Sequence, residues 1–403
     1  MKKILIIISI LLLVFGLGGK IVFAYSDASD NEVPYFEDAE NQSLSSEEPT
    51  EDNFKAKVKK VIEEKEVDYG ERGKTIYQKL ELIGLEGDYK DKTFQSVDEE
   101  ENVIFSKRQY KEGDKVIVSH IHNIYGEDKY FVIDYYRIPS LYILAIIFVV
   151  LVLLINRFTG LRSLLGLTIT ILVILFFIIP QIVKGQEPLL IAVIGSVIIL
   201  IATTYLIYGF NKKSHIAILS IAVCLIIAGI FSLIFTNVSK LTGFAEEETI
   251  YLVGVQGINI NMKGLLLAGV LIVVLGVIDD VVIAQISTVK EIIGTKNDLS
   301  RREIYKKAMR VGVDHTSSMV NTLFLAYAGA SLSLLVLFSL KDETGLSWQE
   351  ILNSEFLATE IVRTLIGSIA IAVSVPIATI LATYFFKPQT KEIEKPNKFE
   401  ESF

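Results

Sequence analysis

The sequence predicts a polytopic α-helical membrane protein of about eight transmembrane helices, with a small extracytoplasmic β-barrel-like domain between the first and second spans. Three observations carry this fold class. Of the 403 residues, 51% are hydrophobic. They gather into runs long enough to cross a bilayer core of about 30 Å, which takes roughly 20 helical residues. Between the first run and the others, residues 54–137 alternate apolar and polar side chains with the period of a strand.

Taken in order, Met1-Lys2-Lys3 precede "ILIIISILLLVFGLGGKIVF" at residues 4–23. This reads as a signal anchor within residues 1–24, with a signal peptide cut after Ala24 as the alternative. Residues 25–53 form an acidic linker: ten acids and no base fall between Asp27 and Asp52. So few apolar residues cannot offset the entropy of ordering, and the linker is expected to be disordered. Much of the net charge of −8 sits in this tract. The balance therefore does not indicate basic partners, and nucleic acid is not an expected partner.

The β domain, residues 54–137, opens with "FKAKVKKVI", which places Phe54, Ala56 and Val58 on one face. "TIYQKLELIGL", "NVIFSKRQY", "DKVIVSHIH" and "KYFVIDYYR" follow, with Gly-Asp turns at "LEGDY" and "KEGDK". Short strands at this spacing suggest a compact barrel or barrel-sandwich. His120 and His122 share a strand face and could form half of a metal site. No third ligand is evident, so a solvent-facing edge is the expected reading and no metal is predicted.

Seven apolar segments follow, near 140–156, 162–183, 188–208, 214–236, 264–287, 315–339 and 357–386, completing a membrane domain over residues 138–387. Residues 388–403 form a tail. The connections "NRFTGLR", "NKKSH" and "KEIIGTKNDLSRREIYKKAMR" are rich in Lys and Arg, and they alternate with "VKGQEP", "TGFAEEET" and "KDETG". The positive-inside rule then puts both termini in the cytoplasm and the β domain outside the cell membrane. Cys224 stands alone, so no intrachain disulfide can form. No P-loop, HExxH or GxSxG occurs; no enzyme activity and no cofactor are predicted.

The chemistry concentrates in "VLGVIDDVVIAQ", residues 274–285, where Asp279 and Asp280 interrupt an apolar run. Acids inside a span commonly mark proton or ion pathways. At about 100° per residue, Asp280 aligns with Gly269, Val273, Gly276, Ala284 and Ser287, a small-residue stripe on which another helix can pack. Asp279 aligns with Ala268, Ile272, Leu275, Ile283 and Ile286. Asp280 is therefore expected to face into the bundle and Asp279 to lie at its flank. Beyond the next connection, "VDHTSSMVNTLFLAYAGAS" sets Asp314, Ser317, Ser318 and Asn321 on one face, with Thr322 beside them. By depth, Asn321 could meet Asp280. Asp280, Asn321, Asp314, Asp279, Thr322 and Ser318 are the candidate proton- or ion-coupling residues. The hydroxyls among them are also read as back-bonded to helix carbonyls. Gly329, with Ala370, Ser374 and Ala378 of the last span, reads as further helix-packing surface. Arg363 near the start of that span is expected to snorkel.

"GLLLAGVLIVVLGVIDDVVIAQISTVKEI" followed by "VGVDHTSSMVNTLFLAYAGAS" closely resembles the YibE/F family of bacterial multispanning proteins, over roughly residues 135–387. The most specific pieces are Gly276 to Asp280, Asp314, the "NTLFLAY" of Asn321 to Tyr327, and "GSIAIAVSVPIAT". The acid at position 279 departs from the family pattern, where an apolar residue is expected. The spans over about 264–386 also bear a looser likeness to SecF and the resistance-nodulation-division transporters, with Asp280 at the place of the proton-relay acid. That likeness implies proton- or ion-coupled transport, or an export-associated role. The alternative is a non-transporting scaffold or assembly factor whose external β domain binds envelope partners. The expected partners are the lipid bilayer and an envelope protein or small-molecule substrate; an oligomer is compatible with the sequence.

Overall fold

A computed structural model describes residues 51–68, 74–96, 109–122, 128–245, 247–255, 259–295, 299–340, 345 and 347–386. The anchor at 4–23, most of the acidic linker, most of "NVIFSKRQY" and the tail lie outside the described residues. The chain divides into two compact units, the first ending at Val150 and the second beginning at Leu151.

The first unit holds one antiparallel sheet of five strands: β1 (Glu51–Asp68), β2 (Lys74–Gly84), β3 (Thr93–Gln95), β4 (Lys115–His122) and β5 (Asp128–Tyr135), in the order β3-β2-β1-β4-β5. Phe54, Ala56 and Val58 are buried, as their alternation requires. Past Val58 the sequence breaks period with Lys59-Lys60. β1 slips register there and again between Val61 and Glu63, which returns Val61 to the core. The turns at Gly87 and Gly113 have φ of 58° and 96°, which a glycine takes without strain.

The expected barrel is not closed by strand pairing among the described residues. The sheet instead curls until its two edges meet through side chains. Phe94 of β3 and Tyr130 of β5 have ring centroids 4.6 Å apart, although three strands separate them in the sheet. Phe54 of β1 meets both rings edge-on, at 5.4 and 6.3 Å, and stacks on Tyr89 at 4.0 Å.

The helices are α1 (Ile138–Val173), a π turn (Ile174–Ile178), α2 (Ile179–Val183), α3 (Pro188–Tyr208), α4 (Lys212–Val238), α5 (Glu247–Gly254), α6 (Met262–Thr295), α7 (Arg301–Ala330), α8 (Leu332–Ser339), α9 (Trp348–Asn353) and α10 (Glu355–Phe385). Five helical stretches are long and apolar enough to cross a membrane: Ile138–Val183, α3, α4, α6 and α10. A sixth is counted if α7 and α8, bent by 68°, form one broken span. The expected eight are therefore not met one for one, and the differences have local causes.

Two expected spans, 140–156 and 162–183, run together into 46 helical residues. At 1.5 Å per residue that is about 69 Å, more than twice a bilayer core. The run breaks at Arg157, whose φ of 49° and ψ of −124° are not helical. The π turn ahead of Pro180 widens the helix where that residue supplies no N–H and its ring crowds the preceding turn. The α7–α8 bend falls at "GAS", where glycine and serine hold a helix weakly.

α6 and α10 are central to the second unit. α10 packs on α4, α6 and α7, while α6 packs on α3, α4, α7 and α10. Ala370, Ser374 and Ala378 of α10 are buried. A side chain at Gly195 of α3 would come within 2.5 Å of Ile178, so α3 approaches the π turn only because that residue is glycine.

Candidate functional site

α6 buries Val274, Leu275, Ile278, Val281, Val282 and Ile286. Those bulky side chains gain more dispersion contact by packing than small ones do. The face they leave uncovered runs through Val273, Gly276, Asp280 and Ala284. This corrects the expected orientation. The small-residue stripe is not where α6 meets its neighbours: a Cβ on Gly269 or Gly276 would touch nothing within 4 Å. Gly329 of α7 is likewise uncovered, and Ser287 is half-buried with its hydroxyl donated to the Ile283 carbonyl at 2.7 Å.

Asp280 is accordingly exposed from the chain, with His315 of α7 as its electrostatic neighbour. Asp279, expected at the flank, is the acid turned towards the packed side. It is half-buried, and its Oδ1 is enclosed without a hydrogen-bond partner. Tyr208, the last residue of α3, lies within electrostatic range of both acids.

The polar end of α7 does not close over this pair. Asp314, Ser318, Asn321 and Thr322 are exposed, and no hydrogen bond joins Asn321 to Asp280. Thr322 donates to the Ser318 carbonyl at 3.0 Å and Ser317 to the Val313 carbonyl at 3.0 Å, so these hydroxyls satisfy their own helix.

α6 is tied to its neighbours at Gln285, which no helical spacing in the sequence singles out. Gln285 is 3% exposed. Its Nε2 donates to the Ala308 carbonyl of α7 at 3.0 Å and to Thr379 Oγ1 of α10 at 2.7 Å. One amide thus joins α6, α7 and α10. The only sequence signal was a side-chain amide in an apolar run, which needs a partner when buried. Gly312 makes room for it: a Cβ there would lie 2.8 Å from Gln285 Oε1 and 2.4 Å from Val375 Cγ1.

Towards the other end of α6, a recess of about 280 Å³ is bounded by the π turn, α2, α5, α6 and α10. Arg363 lines it, so this residue does not simply snorkel. Its Nη1 donates to Glu360 Oε1 at 2.7 Å, and both side chains are mostly buried.

In the sheet, His120 also departs from expectation. It is 7% exposed, not a solvent-facing edge residue. Its Nδ1 lies 2.9 Å from the Tyr89 hydroxyl and its Nε2 3.1 Å from Asp128 Oδ1, while its ring stacks on Tyr130 at 4.7 Å. Tyr89 donates to Asp52 at 3.3 Å, and burial first, then Asp52, raises its hydroxyl above the usual phenol range. The side chain of His122 lies outside the described residues. Among those described, no group of three His, Cys, Asp or Glu side chains is placed to hold a metal.

The arrangement offers one enclosed carboxyl, one open carboxyl with an imidazole as its electrostatic neighbour, and a buried amide that ties the helix carrying them to α7 and α10. A family model described as YibE/F-like protein matches residues 144–388, the region in which the sequence resemblance was found. Nothing matches this chain among curated proteins or among solved structures.

Proposed function

The chain belongs to the YibE/F-like family, and from that premise we propose that it is a multi-pass membrane protein that couples proton or cation movement to transport or export. The observation that carries this reading is the Asp279 carboxyl, enclosed in a span with Oδ1 unpartnered. Leaving a buried polar group without a partner costs about 1–3 kcal/mol, a cost that structure alone does not repay. An acid in a coupling cycle must exchange between two environments, and Asp279 and Asp280 occupy two environments side by side. Asp279 takes the binding role in this proposal, with Asp280 and His315 forming the route to the open face. Asp314 and Asn321 extend that polar face along α7. The basic connections around Lys290 and Arg310 support a cytoplasmic location for this end of the bundle and an external one for the sheet. Eight spans then follow if residues 4–23 cross as an anchor, Arg157 separates two crossings, and α7–α8 make one.

Infrared difference spectroscopy of the purified protein between about pH 5 and 8 tests the assignment. A titrating carboxyl band that disappears in Asp279→Asn and persists in Asp280→Asn is expected. Absence of any such band from the wild type, or its survival in Asp279→Asn, overturns the role of Asp279 and favours the scaffold reading.

A further inference from the structure

We propose that α7 carries a dimerisation seam whose partner is the same face of a second copy of this chain. The proposal rests on the preceding reading only in taking α7–α8 as one membrane crossing, and not on proton coupling. Arg310, Asp314, Ser317, Asn321, Phe324 and Ala328 follow one another at intervals of four, three, four, three and four residues. That is the seam spacing of a coiled coil, whose positions face a partner helix. All six are exposed from the chain. They lie away from the side on which α7 packs. Gly312 and Leu323 are buried where α7 meets α6 and α10, and Asp314 and Asn321 each diverge from one of them by roughly 200°. His315, the electrostatic neighbour of Asp280, lies about 100° from Asp314, so the acids of α6 stay off the seam.

The chemistry of the seam selects what covers it. Asn321 lies about 16 Å along the helix from Arg310, near the middle of a bilayer core of about 30 Å. Among the described residues its amide has no partner, and neither Asp314 nor Arg310 is in an ion pair. Hydrocarbon satisfies none of these groups, whereas asparagines hydrogen-bond across helices within a membrane. An amide both donates and accepts, so Asn321 is complementary to itself. Two copies inserted with one topology are related by a twofold axis along the membrane normal, which sets α7 parallel to its copy and brings the two Asn321 side chains to one depth. In that register each Asp314 enters a hole bordered by Arg310 of the second copy, so opposite charges meet twice. Ser317 and Ala328 are small and admit close approach.

The test is disulfide crosslinking of the full-length protein in isolated membranes. Cys224→Ala removes the only native thiol. In that background Ser317→Cys and Ala328→Cys should each give a reducible band of two chains. Ala326→Cys, equally exposed but about 200° from Ala328, should not. Förster transfer between labelled chains in liposomes then measures affinity. Asn321→Leu should weaken the dimer about tenfold at an unchanged melting temperature. Arg310→Asp should weaken it about threefold, and adding Asp314→Arg should restore it. A monomeric wild type, equal crosslinking at Ala326→Cys, crosslinking to a chain of another mass, or affinity unmoved by both Asn321→Leu and Arg310→Asp overturns the proposal. Rapid labelling of Ala328→Cys by a membrane-impermeant maleimide would overturn the crossing of α7–α8 together with the seam. No labelling and no crosslink would overturn the seam alone.

Discussion

Asp279 and Asp280 share a peptide bond and face opposite surroundings: Asp279 Oδ1 is enclosed without a partner, and Asp280 lies on an uncovered helix face beside His315. Adjacent helical residues diverge by about 100°, so one position meets the packed side and the next misses it. An unpartnered carboxyl oxygen weakens the fold that holds it. Asp279→Leu should therefore raise stability, by roughly 1–3 kcal/mol, because it removes an unsatisfied group and adds apolar contact. Asp280→Leu, on the uncovered face, should change it by less than about 0.5 kcal/mol. Thermal unfolding of the two variants in the same detergent checks this. A loss of stability in Asp279→Leu would mean that the carboxyl is a structural anchor.

The glycines of this region should divide in the same way. Gly312→Ala would place a methyl 2.4 Å from Val375 Cγ1 and against the Gln285 amide, so either α7 or the amide must move. Overpacking of this kind costs about 1–3 kcal/mol. Gly276→Ala meets nothing and replaces a poor helix former, so it should stabilise by about 0.5–1 kcal/mol. Melting temperatures that move in opposite directions are the expected outcome.

These contrasts show what was legible in the sequence. Helical spacing correctly grouped Asp280 with Gly276 and Ala284, and Asp279 with Leu275 and Ile283. Which group meets the bundle is a property of the neighbouring helices, and α6 alone does not encode it. Small residues permit close packing without requiring it, so the stripe was read onto the wrong side. Alternation at Phe54, Ala56 and Val58 placed β1, whereas the three residues of β3 were too short for any periodicity to register. The contact between Phe94 and Tyr130 depends on the curl of the whole sheet. Gln285 was missed because a single amide among apolar residues shows no period at all.

The buried histidine of the sheet gives a third expectation. Tyr89→Phe keeps the ring stacked on Phe54 and removes the hydroxyl that meets His120 Nδ1 and Asp52. Losing that bond inside the sheet should cost about 1–2 kcal/mol. Faster hydrogen exchange in the β1 and β4 peptides of the full-length protein, with the helices unchanged, is the expected readout. Unchanged exchange would show that ring stacking alone holds the cluster.

Two helix starts carry the same capping box and should respond to acid together. Ser300 N–H and Oγ both donate to Glu303 Oε2 at 2.8 Å, and Glu303 N–H donates back to Ser300 Oγ at 3.3 Å. At α9, Ser347 N–H donates to Glu350 at 2.7 Å, Ser347 Oγ at 2.8 Å, and the return bond is 3.3 Å. The serine backbone N–H first, then its hydroxyl, hold both carboxyls below the usual glutamate range. A folded value depressed below the unfolded one of about 4.3 contributes stability that is fully present above that pH. It is lost as pH falls through the folded value. Amides 302–306 and 349–352, followed by hydrogen exchange corrected for intrinsic rate, should therefore stay protected at pH 6 and open progressively below about pH 4. Glu303→Gln can still accept from Ser300 but does not titrate, so protection at 302–306 should become independent of pH in this window while 349–352 still opens. If both segments opened in Glu303→Gln, acid would be acting on the whole fold and not through the boxes.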